Sequence, residues 1–318
     1  MGNFTEVEKE FSDKLNKNIQ SNAQLSQDKL ALLINTTLLE MRIKAMKKLS
    51  EKTNRNVICY YSAWQQTTNG NPEVMINDGD MNGFMNAINK MDKSKGLDLI
   101  LHTPGGVTTA TESLVNYIKK CFKNNFRVIV PHMAMSAGTM IACSSKIILM
   151  GKQSSLGPID PQYRNVPAEG VIEEFNQAFK DTLQDPNKSL IWKEIIQQYR
   201  PTFVGECENV IKLSHDLVEN WLKDNMFKHY KNKDEIVKKI LAELASHKNS
   251  KVHDKHYDSE KCKKLGLKIF DIEKDQELQD LILTIHHTYI LSIFRIPTLI
   301  KLIENQNGQT FILNGPRL

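Results

Sequence analysis

Two short stretches carry residue types able to do chemistry. His102-Thr103-Pro104-Gly105-Gly106 follows the apolar run Leu97–Leu101, and Met135-Ser136-Ala137-Gly138-Thr139 follows a second run, Phe126–Val130. Consecutive glycines let main-chain N–H groups approach a ligand closely with unrestricted φ. A serine among small neighbours at the start of an apparent helix offers a hydroxyl near the positive end of the helix dipole. If both turns open on one edge of one sheet, a nucleophile faces donors for a developing oxyanion, the minimum apparatus for cleaving an acyl bond. Taken singly, Pro-Gly-Gly is a tight turn and Ser136 an N-cap; the pair in one frame gives the functional reading its weight.

The elements that must position these turns follow from hydrophobic periodicity. Val57–Tyr61, Leu97–Leu101, Phe126–Val130 and Lys146–Met150 read as short buried strands. Helical patterns at 79–93, 109–123 and 137–145 separate them, the first opening at Asn77-Asp78-Gly79-Asp80 with N-cap residues. Strand, helix, strand repeated in this way implies right-handed crossovers and a mainly parallel sheet, an α/β fold. After Tyr163 the chain reads as helical over 171–183, 190–199 and 207–222, with breaks at Asp185-Pro186-Asn187 and Arg200-Pro201. His256-Tyr257-Asp258 then reads as a short strand, followed by a helix over 259–265 closed by Gly266.

Residues 1–55 are glycine-poor after Gly2, and Leu30, Leu33, Ile34, Leu38, Met41 and Met46 recur at helical spacing, which predicts one long amphipathic helix. Its apolar face packs either on its own core or on another subunit. The expected division is a 1–55 N-terminal helical segment, a 56–290 main domain and a 291–318 tail with no assignable role.

Composition narrows the classes. The 318 residues include 42 Lys+Arg and 37 Asp+Glu, a net charge of +5, and 40% are hydrophobic but only 7% aromatic. The lysines are scattered rather than interleaved with aromatics, so no nucleic-acid partner is expected. Cys59, Cys121, Cys143, Cys207 and Cys262 lie far apart without C-x-x-C spacing, which favours reduced thiols over disulfides or a zinc site. No window reaches the roughly 18 apolar residues of a membrane helix, and Met1–Glu6 lacks an apolar leader, so a cytoplasmic protein without a membrane span is expected. Gly2 suggests myristoylation, but Glu6 replaces the required Ser or Thr. There is no Walker loop or G-x-G-x-x-G, and no cofactor is expected. His253, Asp254, His256 and Asp258 match no ligand pattern and read as solvated side chains.

Leu101–Gly106, the Met135–Thr139 turn and Ser155-Leu156-Gly157-Pro158-Ile159-Asp160-Pro161-Gln162 together resemble the serine dehydrogenase proteinase family, which groups with signal peptide peptidase A in the Clp protease and crotonase fold superfamily. The resemblance runs from about Val57 to Leu267, including Tyr257-Asp258 and Lys263–Leu267. It implies a Clp/crotonase-like core of repeated ββα and βαβ units with an N-terminal helix and a helical C-terminal arm. It further implies a serine endopeptidase of the signal peptide peptidase A type, without its own ATPase, that assembles into a homo-oligomer around peptide or unfolded-protein substrates.

Under this resemblance Ser136 is the nucleophile, and the amides of Gly105, Gly106 and Ala137 form the oxyanion hole. The Clp protease histidine has no counterpart near Gly157–Pro161, so a serine–lysine dyad is implied. A lysine serves as base only when burial leaves its amine neutral near pH 7. Lys180, 44 residues beyond Ser136 and beside Ala178 and Phe179, is the preferred base; Lys188 and Lys193 are its rivals. His102 and His132, at strand ends on the same edge, remain alternatives, and Asp160 orients a base, lines a groove or simply makes a turn. Two other readings stay open: a crotonase-type acyl-CoA enzyme, which would need an acidic base beside Ser136, and a catalytically silent oligomeric peptide-binding scaffold.

Overall fold

The computed structural model describes residues 2–20, 26–67, 71–163, 166–245 and 255–316. The chain opens with α1 (Phe4–Gln20) and α2 (Gln27–Thr53), two helices where the periodicity suggests one. Ser26 starts the second, its hydroxyl accepting from the Lys29 amide at 3.4 Å, and Asn54 ends it at φ 51°. Next come β1 (Asn56–Ser62), α3 (Asp80–Ile88), β2 (Leu97–His102), α4 (Thr108–Phe122), β3 (Phe126–Val130), β4 (Met133–Ala134) and α5 (Ala137–Cys143). They are followed by β5 (Ile148–Met150), β6 (Ser155–Leu156), β7 (Gln162–Tyr163) and β8 (Val166–Pro167). An arm of α6 (Ala168–Gln184), α7 (Ser189–Ile196) and α8 (Phe203–Trp221) leads to α9 (Lys233–Leu244) and β9 (Tyr257–Asp258). The remainder is α10 (Ser259–Leu265), β10 (Ile269–Asp271), α11 (Gln276–Arg295), β11 (Leu299–Asn305) and β12 (Thr310–Asn314).

The main sheet has the order β10-β5-β3-β2-β1-β11-β12, and its first five strands are mutually parallel. β11 runs antiparallel to β1, and β12 antiparallel to β11. The segment expected to be a tail thus closes one side of the sheet, with all seven residues of β11 buried. A small second sheet, β4-β6-β9, sits at the carboxyl edge of the parallel strands.

Both faces of the main sheet are covered, which is why its strands read as continuous apolar runs. Ile58, Tyr60, Leu99, Leu101, Val128 and Val130 enter the core shared with α4, α5 and α9. The intervening residues Val57, Cys59, Tyr61, Ile100 and Ile129 enter a separate core with α2 and α11. α2 therefore packs on its own chain, through Met46 and Leu49. A buried ion pair fastens it there: Arg42 donates to both carboxylate oxygens of Glu304 at 2.7 and 2.9 Å, and the Tyr289 hydroxyl donates to the same carboxylate at 2.7 Å. In the middle of the sheet Asp98, fully buried on β2, accepts from Arg55 and Arg127 and ties the start of β1 to β2 and β3. The arm has its own small core of Ala168, Val171, Phe203 and Cys207. All five cysteines are free. No helix among the described residues is long and apolar enough to cross a membrane.

Candidate active site

The two chemically suggestive turns meet. β2 ends at His102 and β4 at Ala134, and they are joined through Thr103, whose amide donates to the Met133 carbonyl at 3.2 Å while its carbonyl accepts from the Met135 amide at 3.0 Å. The glycines then let the backbones close. A β-carbon added to Gly105 would lie 2.7 Å from Ser136 Cβ and 2.9 Å from the Ala137 nitrogen. One on Gly138 would lie 2.6 Å from Thr103 Cγ2, and one on Gly157 3.2 Å from the Ser136 nitrogen. The Pro-Gly-Gly, Ser-Ala-Gly and Leu-Gly-Pro motifs thus converge around Ser136. Thr139 Oγ1 fastens two of them, within 3.0 Å of the Ala134 and Gly157 carbonyls and accepting from the Gly157 amide at 2.9 Å.

Ser136 itself adopts φ 49° and ψ −117°, a corner of backbone space that glycine dominates. Such a strained strand-to-helix turn lifts a serine hydroxyl off the sheet edge. Ser136 keeps partial solvent exposure while its neighbours Met135 and Ala137 are buried.

The three glycine-turn and helix amides differ in what they can offer. Ile76 bridges Gly106, its amide donating to the Gly105 carbonyl at 2.8 Å and its carbonyl accepting from Val107 at 2.9 Å. In a parallel bridge the central residue's own N–H points the other way, so Gly106 presents its amide away from Ile76. The Ala137 amide opens α5, where no intrahelical acceptor exists. The Gly105 amide is already engaged, donating to Thr103 Oγ1 at 3.1 Å. Gly105, at φ 106°, also lacks the side chain that would collide with Ser136.

The candidate bases are distributed otherwise. Lys180 lies exposed on α6 with no ion-pair partner among the described residues. Lys188 is exposed beside Asp181 at 3.6 Å, and Lys193 is exposed on α7. His102 is fully buried on the α11 face of the sheet, opposite α5, and burial together with nearby His132 pushes its pKa down to about 3. His132 joins the same group of rings, 5.7 Å from His102 between centroids, and burial lowers its pKa as well. Asp160 is buried and close enough to Tyr257 to help burial and Glu243 raise that phenol's pKa. His253 and Asp254 lie outside the described residues. His256 is exposed, as its sequence context suggests, and its Nδ1 also lies 2.8 Å from Ser155 Oγ, a hydroxyl–imidazole pair that no sequence spacing announced.

A parallel-centred sheet with a second small sheet at its carboxyl edge, carrying a strained serine against a diglycine turn, defines a ClpP-like scaffold. The sequence pattern of the ClpP-like SDH-type serine proteinase family matches residues 30–287, and the chain belongs to that family. It is similar to the uncharacterized protein MJ0137 of Methanocaldococcus jannaschii, with 32% identity over 230 residues covering 72% of this chain and 73% of that one. It is also 30% identical over 190 residues to the uncharacterized protein MJ1495 of the same organism, covering 60% of this chain and 57% of the relative.

Proposed function

We propose that the protein is a serine peptidase acting on peptides or unfolded protein segments through Ser136. The observation that carries this reading is the strained Ser136 backbone pressed against Gly105, in a chain of a serine proteinase family. Ser136 Oγ attacks the scissile carbonyl, whose oxygen becomes an oxyanion held by the amides of Gly106 and Ala137. Lys180 Nζ takes the hydroxyl proton and passes it to the leaving amine, and water then hydrolyses the acyl-enzyme by the same route.

For that role Lys180 must lose water. It sits on the arm beside Phe179 and Leu183, which are 68% and 69% exposed, with Leu190 and Ile191 at 72% and 65% on the next helix. A second copy of the chain covering this apolar tip would desolvate the amine, which links the proposed base to a homo-oligomer. The exposure of all three lysines also favours a second reading, a silent scaffold that binds peptides without cleaving them.

Labelling with a fluorophosphonate probe separates the two. The parent should be labelled and Ser136→Ala should not. No labelling of the parent selects the scaffold, and labelling that persists in Ser136→Ala but disappears in Ser155→Ala moves the nucleophile to the Ser155–His256 pair.

A further inference from the structure

At the carboxyl edge of the main sheet, on the face turned toward α11, three imidazoles form a nearly equilateral group. Ring centroids are 5.7 Å apart for His102 and His132, 5.6 Å for His102 and His286, and 5.8 Å for His132 and His286. They come from three separate elements: the end of β2, the link between β3 and β4, and the middle of α11. His102 is fully buried, and although the Met133 backbone lies near enough to act on its ring, neither ring nitrogen has a hydrogen-bond partner of good geometry. The neighbouring Trp64 Nε1 is buried without a partner too, and the Trp64 ring lies 6.1 Å from His102. Leaving a buried polar group unpaired costs about 1–3 kcal/mol, so such a constellation in a folded chain calls for a ligand.

We infer that His102, His132 and His286 form a binding site for one divalent transition-metal ion of the zinc class. An ion equidistant from three such rings lies about 3.3 Å from each centroid; with a nitrogen about 1.1 Å from its centroid, the remaining span is about 2.2 Å, close to a zinc–imidazole bond. The nitrogens do not all face that centre as the rings stand. Rotation about χ2 turns an imidazole on an axis passing near its own centroid, so the rings can be redirected without moving the triangle. His286 is already oriented from outside: its Nδ1 lies 3.2 Å from the Tyr61 hydroxyl, which leaves Nε2 for the ion. His132 is only half-buried and provides the entry route.

Among the described residues one other group has donor atoms closer together, His215, Asp216 and Glu219 on α8. It is solvent-exposed and Glu219 is bonded to Lys223 at 2.7 Å, so nothing there asks for an ion. The histidine triangle, by contrast, lies just behind the roots of both functional turns, His102 three residues before Gly105 and His132 four before Ser136. An ion there would brace the two strand ends against α11.

The test uses the full chain stripped with a chelator and dialysed against zinc or cobalt(II), with metal content, the visible cobalt spectrum and thermal unfolding as readouts. About one zinc per chain is expected, with a tetrahedral cobalt spectrum and a higher Tm. His102→Phe and the half-exposed His132→Asn should each weaken uptake at least 10-fold, and Tyr61→Phe by 10- to 100-fold while the cobalt spectrum survives. Circular dichroism confirms that each variant folds, and His132→Asn carries the test if His102→Phe does not. Substoichiometric zinc in the parent overturns the proposal, as does undiminished uptake in His132→Asn or loss of uptake in His215→Ala alone. None of these readouts depends on peptidase activity.

Discussion

Gly105 and Ser136 face each other at closer than side-chain distance: a β-carbon on the glycine would lie 2.7 Å from Cβ of the serine, and both residues have positive φ, 106° and 49°. Each turn is therefore shaped by the other. Gly105→Ala should lower kcat/KM at least 100-fold, since a displacement of about 1 Å at the nucleophile costs that much, and should destabilise the fold by roughly 1–3 kcal/mol. Peptide turnover and denaturant unfolding measure the two effects. Gly205→Ala on α8, where an added β-carbon meets nothing within 4 Å, should stabilise slightly, by about 0.5–1 kcal/mol.

Strain at Ser136 gives a prediction of opposite sign. Ser136→Gly removes the hydroxyl and also the β-carbon that disfavours φ 49°. It should abolish probe labelling while stabilising the chain by about 1 kcal/mol, a rise of about 1–3 °C in Tm. Ser136→Ala should abolish labelling without that gain. Equal melting temperatures for the two variants would mean that the turn stores no strain.

The proposed base and the proposed assembly are tested together. Lys180→Ala should reduce turnover at least 1000-fold, whereas Lys188→Ala and Lys193→Ala should stay within twofold of the parent. Leu190→Asp places a charge in the exposed apolar tip and should shift sedimentation toward the monomer, with activity falling in parallel. A fully active monomer would detach catalysis from the arm.

Arg42 and Glu304 are both buried, and the carboxylate also accepts from Tyr289. Glu304→Ala leaves an uncompensated guanidinium in the interior and should cost about 3–5 kcal/mol in chemical denaturation. Replacing both, Arg42→Met with Glu304→Leu, should recover much of that loss because neither charge then remains desolvated. If α2 contributed nothing to the core, Glu304→Ala would be near neutral.

Much of the frame was legible in the sequence because it rests on local periodicity. The runs beginning at Val57, Leu97 and Phe126 are strands, and the helix over Ser259–Leu265 ends at Gly266 with φ 106°. What escaped were features set by partners distant in sequence. Leu299–Asn305 has no role until it lies against β1, about 240 residues away in the chain, and the apolar repeat from Leu30 to Met46 does not reveal that α2 is a separate helix starting at Gln27. The Ser155–His256 pair exists only because β6 and β9 are antiparallel neighbours, and the histidine triangle only because α11 crosses two strand ends.

The sequence alone determined the fold class, the two glycine-lined turns and the serine between them, since residue type and spacing constrain φ and burial locally. Tertiary structure decided which amides remain free, because the Gly105 N–H is taken by Thr103 while pairing with Ile76 turns that of Gly106 outward. It also decided that the candidate lysines stand in solvent while His102 is buried and His132 half-buried, as strand register and helix docking, rather than local propensity, fix the environment of each side chain.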